Sequence, residues 1–511
     1  MGAQTDSLEL LITCCNVETA EAAAEEETGV GKQSDKSQLS QEQFLRAVIF
    51  VERLSTALGL KRGLFKPSTT AHARSKNRKE IQMLAIKKLN RAFGGDSFQN
   101  STIGVISYAE LPDDTELRPV QLLSEDNVMS RGIYVCRKGH KPKIGMHIMH
   151  PRSETFNYNV LPLVLAGFGV LVRAGRWPNN DFATTHEHLL LDFAAGLRFL
   201  RDEIGCQTVI PFGNSGGTAL CAFYQAQART PVGSRITHTP GGEPIDLNKY
   251  DLPPADAIAF LAAHIGQGET CGKLIDPAVV DEDDPLATDP DLDLYDPRNG
   301  FCIPPQSSTY SPEFLARYRA AQLARVHRLD EIAHSLIRQK REAKALVAKL
   351  GAEATLGQVR AAQCDRRMTI YRTTAYPACV DLSIDPDDRP IYTLRTSRPD
   401  LENYGDNALA RTVTPHAWLS TWSALSSRAR TLDNVAKWDD PFIFVHYAGD
   451  AYTRMSEAQA IFDTCPSTDK QYHVIRGHDH YGFELKSDGT RGLRSFDGAA
   501  LICDWVIERF G

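Results

Sequence analysis

Residues 208–217 read Thr-Val-Ile-Pro-Phe-Gly-Asn-Ser-Gly-Gly. An apolar strand runs straight into Gly213-x-Ser215-x-Gly217, and Thr218-Ala-Leu-Cys-Ala-Phe-Tyr-Gln-Ala226 beyond it has helical character. Strand, sharp turn and helix around a G-x-S-x-G form the context of a nucleophile elbow. Such a turn holds its serine in a strained backbone conformation, so the neighbours must be small. Gly213, Gly216 and Gly217 meet that need. A turn with a merely capping serine is the competing reading. The flanking strand and helix favour Ser215 as a nucleophile.

Working outward, strands and helices alternate on both sides of the elbow. Ile103–Tyr108, Gly132–Cys136, Ile144–His150 and Gly169–Arg173 read as strands, with a helix over Phe156–Gly167. A long helix over Thr185–Ile204 precedes the elbow strand, and Ala255–His264 is one more strand. The pattern breaks over 265–437 and resumes with strands at Pro441–Tyr447 and Gln471–Ile475 and a closing helix at Gly498–Phe510. This alternation predicts an α/β fold with a mostly parallel sheet covered by helices on both faces.

A serine hydroxyl becomes a good nucleophile only when a histidine takes its proton and a carboxylate orients that histidine. Two later loops carry the candidates. Strand 441–447 is followed by Ala448-Gly449-Asp450, and strand 471–475 by Arg476-Gly-His478-Asp479-His480-Tyr481-Gly482. Asp450 and a histidine would then sit side by side at the carboxyl edge of the sheet.

On Gly213-Asn-Ser-Gly-Gly217, Gly449-Asp450 and Asp479-His480-Tyr481, the chain resembles the α/β-hydrolase superfamily over about 101–264 and 438–511. The resemblance implies an α/β-hydrolase core in which acid and histidine follow the serine. It implies a Ser215–His480–Asp450 triad, with His478 as the alternative base. His480 is preferred because Asp-His-Tyr follows its strand at the usual short interval. It also implies an oxyanion hole of main-chain N–H groups. One belongs to Gly216, the residue after the serine. The second should come from the loop after His150, where many esterases carry His-Gly. This chain has His150-Pro151-Arg152-Ser153, and proline has no N–H. Arg152 is therefore the expected donor, with Ser153 in reserve. The Arg152 side chain would also suit a substrate carboxylate. Asn214, Trp177 and Tyr481 are candidates for the wall of the substrate pocket.

Residues 265–437 fall where the superfamily commonly carries its lid, so a mainly helical cap is expected there. It would hold a long charged helix from about Ser311 to Leu350, with apolar residues at three and four. Before the core, residues 1–38 read as disordered, being rich in Glu, Ala, Gly, Ser and Lys. Residues 39–100 read as a helical extension, partly basic. The function expected is a serine hydrolase cleaving an ester or related acyl bond of a small or medium organic molecule, without a cofactor. The same triad would serve carbon–carbon bond hydrolysis or acyl transfer. A binding protein that keeps the fold without catalysis is the third possibility.

Composition narrows the rest. The chain has 511 residues, 42% hydrophobic and 24% charged, with a net charge of −7. An acidic balance gives no reason to expect nucleic acid. No apolar run reaches the ~20 residues of a membrane span. Leu8–Cys15 is short, carries an acid and has no basic segment before it, unlike a secretion signal. The eleven cysteines are scattered and read as reduced thiols of a cytoplasmic protein, whose oligomeric state is open. His186-Glu-His188 and His478-Asp-His480 lack the further ligands of a metal site. Gly241-Gly242 is a turn and not a phosphate loop, since no Lys-Ser/Thr follows. Trp418 and Trp422, four apart, read as a core stripe in preference to a ligand platform.

Overall fold

A computed structural model describes residues 111–152, 157–177, 181–405, 409–486 and 491–511. The strand expected at Ile103–Tyr108, the segments 1–38 and 39–100, and Ser153 lie outside these residues. Eight strands form the main sheet: β1 (Thr115–Leu123), β2 (Met129–Arg137), β3 (Ile144–Met149), β4 (Gly169–Arg173), β5 (Thr208–Ser215), β6 (Ile258–Ala263), β7 (Phe442–Tyr447) and β8 (Lys470–Ile475). Their order is β1-β2-β4-β3-β5-β6-β7-β8. β2 runs antiparallel to both its neighbours, and every other pairing is parallel.

β3, β4, β6 and β7 are buried along their whole length, as strands covered on both faces must be. One face packs against α1 (Val160–Leu165) and the closing helix α7 (Asp497–Phe510), through Leu161, Val164, Ile502 and Trp505. The other packs against α2 (His186–Arg198), α3 (Gly217–Arg229) and α6 (Met455–Thr464), through Phe193, Leu197, Phe223 and Ile461. This order and direction of strands is that of the α/β-hydrolase fold. β1 escapes the sequence pattern because it is an edge strand with mostly exposed residues and Pro119 in its middle.

The chain leaves β3 toward β4 on one side and leaves β5 toward β6 on the other. The carboxyl ends of β3 and β5 therefore flank a topological switch point, where open α/β sheets bind ligands. His150 follows β3, and Ser215 ends β5.

Between β6 and β7 stand α4 (Gln267–Leu274) and the 39-residue helix α5 (Pro312–Leu350). Ser311 caps α5, its hydroxyl accepting from the Phe314 N–H at 3.1 Å. The buried stripe Val326, Leu329, Ala333 and Ile337 packs on Trp418, Leu419 and Trp422. Trp418 and Trp422 are core residues, and the Trp418 indole N–H donates to Asp330 at 2.7 Å. The regular structure of this block is mainly helical, as expected. Beyond α4, α5 and a short helix at Leu356–Gln363, most of 275–437 is irregular chain with brief helical turns and one two-stranded ribbon. Its Asp- and Pro-rich loops satisfy their backbone through short-range side-chain bonds, as at Asp281, Asp284, Asp289 and Asp293.

This block touches the loops that follow four strands. The Thr414 N–H donates to the Phe182 carbonyl after β4, and Asp388 accepts from the Gly477 N–H after β8. The Tyr392 hydroxyl donates to the Gly449 carbonyl after β7, and Gln267 lies beside Gly216 after β5.

Candidate active site

The elbow is built as its sequence predicts. Ser215 has φ +54°, a left-handed conformation that an L residue adopts only under constraint. β5 ends at this residue, Gly216 caps α3, and α3 begins at Gly217. The glycines make room for close approaches. A Cβ at 213 would come within 3.0 Å of the Thr218 Cα, and one at 217 within 2.8 Å of the Met149 carbonyl oxygen.

Ser215, His480 and Asp450 come together from three loops. His480 Nε2 lies 2.9 Å from Ser215 Oγ, and its Nδ1 lies 2.5 Å from Asp450 Oδ2. Asp450 is fully buried, and its Oδ1 accepts from the N–H groups of Tyr452 at 2.8 Å and Thr453 at 3.1 Å. The carboxylate is thus fixed and ionised. Burial would raise its pKa, but His480 and these hydrogen bonds outweigh burial and hold it below the usual range. Burial would lower the pKa of His480, yet the Asp450 carboxylate prevails and raises it. Because Nδ1 donates to Asp450, a neutral His480 keeps Nε2 unprotonated and ready to accept the Ser215 hydroxyl proton.

The two loops are tied to each other. The Gly449 N–H donates to the His478 carbonyl at 3.0 Å, which brings Asp450 alongside the histidine loop. Asp479 shapes that loop from within, its Oδ1 accepting from the N–H groups of Tyr481 and Phe483, both at 2.9 Å. Tyr481 packs edge-on against the His480 ring, with centroids 4.9 Å apart. His478 turns elsewhere, its Nδ1 2.8 Å from the Arg476 carbonyl.

Other expected site residues fall differently. The Arg152 N–H, expected to face the reacting oxygen, instead donates to Nδ1 of His150 at 3.2 Å. Pro151 before it has no N–H, and Ser153, the reserve donor, lies outside the described residues. Asn214 uses its amide structurally, donating to the Leu261 carbonyl at 3.0 Å and joining β5 to β6. Trp177 stands beside His188 and Arg176 in a groove of about 680 Å³ lined also by Glu243, Lys344 and His416; Ser215 is not among its lining residues. His186 and His188 diverge: His188 meets Thr185 Oγ1 at 2.7 Å, while His186 is buried near Gln267. Among the described residues no three His, Cys, Asp or Glu side chains are grouped to hold a metal, and no helix is long and apolar enough to cross a membrane.

Two side chains that sequence reasoning passed over stand next to the elbow. A Cβ at Gly216 would lie 2.7 Å from His150 Nε2 and 3.1 Å from Gln267 Nε2. The departure from His-Gly at 150–151 was the signal available for the first; no local pattern marks Gln267.

Sheet order and elbow define an α/β-hydrolase fold, with Ser215, His480 and Asp450 in one hydrogen-bonded row at the carboxyl edge of the sheet. No protein-family model and no curated protein matches the chain. Solved structures resemble it at low identity. The esterase domain of a Rhodothermus marinus protein is 10% identical, over 77% of this chain and 98% of that one, with a TM-score of 0.35. A Pyrococcus furiosus esterase is 10% identical over 78% and 93%, at a TM-score of 0.35. An α/β-hydrolase from Penicillium sp. sh18 is 10% identical over 71% and 91%, at a TM-score of 0.36.

Proposed function

We propose that the protein is a serine hydrolase that cleaves an ester or related acyl bond of a small or medium organic substrate through an acyl-enzyme. The observation that carries this reading is the continuous hydrogen-bonded chain from Asp450 through His480 to the strained Ser215. Ser215 Oγ attacks the substrate carbonyl while His480 Nε2 takes its proton. The negative oxygen of the tetrahedral intermediate lies at the amino end of α3, where the Gly216 N–H and the helix dipole stabilise it. Its collapse expels the alcohol, which receives the proton from His480. Water then attacks the acyl-Ser215 ester, with His480 again as base, and the acid leaves. Residues 265–437, in contact with loops after β4, β5, β7 and β8, act as the cap over this site.

A fluorophosphonate probe tests the reading. The wild type should be labelled and should hydrolyse a short p-nitrophenyl ester, and Ser215→Ala should do neither while keeping its melting temperature. Labelling that persists in Ser215→Ala would refute it.

A further inference from the structure

One main-chain N–H, that of Gly216, does not complete an oxyanion hole, and the Arg152 N–H is engaged by the His150 ring. The hydrogen bond from Arg152 makes Nδ1 of His150 an acceptor, so the neutral ring carries its proton on Nε2. That edge lies against Gly216. On the other flank stands Gln267, the first residue of α4 and only 4% exposed. Gly266 places it there with φ +135°, where a Cβ would strike the Ala429 carbonyl at 2.7 Å. The buried oxygen end of the Gln267 amide interacts with the His186 ring, and the nitrogen end lies beside Gly216. Substrate backbone or leaving groups are not required to explain its position: its nitrogen already faces the residue that supplies the first donor.

We propose that the Gln267 side-chain amide is the second oxyanion donor, acting beside the Gly216 N–H, with the His150 ring as the facing wall. This rests on the serine-hydrolase reading above. It assigns to the start of the inserted block a group that touches the reacting oxygen. The hole is then formed by a main-chain N–H after β5 and a side chain after β6, in place of two main-chain groups after β5 and β3.

The test compares the full-length wild type with Gln267→Ala and the isosteric Gln267→Glu. Hydrolysis of p-nitrophenyl acetate gives kcat and KM. Inhibition by an aryl trifluoromethyl ketone, which adds to the serine and carries an oxyanion, reports on the hole itself. Both variants should lose about 100-fold in kcat, the scale of one oxyanion donor, with KM within about threefold. Ketone affinity should fall by a similar factor, and melting temperatures should hold. A kcat within threefold of wild type in either variant, or a lost kcat with unchanged ketone affinity, would overturn the proposal. Fluorophosphonate labelling of the wild type is read in parallel; if it fails, the serine-hydrolase reading falls first and this one with it.

Discussion

His480 Nε2 stands 2.9 Å from Ser215 Oγ although 265 residues separate them, while His478, two residues earlier, bonds a carbonyl of its own loop. The Asp479 side chain produces the difference. By binding the N–H groups of Tyr481 and Phe483 it curls the chain after 478, so that the second histidine is carried inward over Asp450.

The two histidines should therefore respond differently to truncation. His480→Ala is expected to reduce turnover of a p-nitrophenyl ester by several orders of magnitude, as removal of a triad member does. His478→Ala should stay within a few-fold of wild type. Steady-state kinetics at saturating substrate decides between them, and a dead His478→Ala beside an active His480→Ala would reverse the assignment.

The pH profile follows from the raised pKa of His480. The base works only when neutral, so activity is lost as pH falls through that pKa. The acid limb of kcat/KM should have its midpoint above 6.5, the ordinary histidine value. Asp450→Asn removes the carboxylate that raises it. The limb should move to lower pH, with kcat reduced by about 10⁴ because the imidazole tautomer is no longer fixed.

Acid should weaken the fold well before carboxylates titrate. Burial lowers the pKa of His186 and His446 to about 4 and of His264 to about 3, and it pushes His147 well below its usual value. These rings stay neutral in the fold but bind protons near pH 6.5 once unfolded. Between pH 6.5 and about 4 the unfolded chain holds more protons, so stability falls with pH, by at most about 1.4 kcal/mol per unit for each ring. His480 has the opposite sign, its contribution being lost as pH rises, but it is one group against four. The urea midpoint should drop between pH 7 and pH 5; a level or rising midpoint would contradict this account.

Gly216 and Gly217 should fail in different ways. A Cβ at 217 meets the Met149 backbone oxygen at 2.8 Å, which cannot move without shifting β3. Gly217→Ala should cost about 1–3 kcal/mol of stability, the range of overpacked sites. A Cβ at 216 meets the ends of the His150 and Gln267 side chains, which can turn aside. Gly216→Ala should keep its melting temperature and lose turnover. Calorimetry and ester hydrolysis on the same preparations separate the two outcomes.

The amino-acid sequence by itself determined the elbow, the alternating strands around it, the helix capped at Ser311 and the loops bearing Asp450 and His480. Each is written in a contiguous stretch, because strand and helix periodicity, glycine tolerance and capping are local properties of the chain. β1 was hidden because an exposed edge strand has no apolar alternation to read. The tertiary structure alone decided that His480 and not His478 turns to the serine, that the Arg152 N–H turns to His150, and that Gln267 stands beside Gly216. Those outcomes depend on how the ends of β3, β5, β6, β7 and β8 are packed side by side. Such meetings are fixed by side-chain direction and close packing between segments remote in sequence, for which a single chain carries no local pattern.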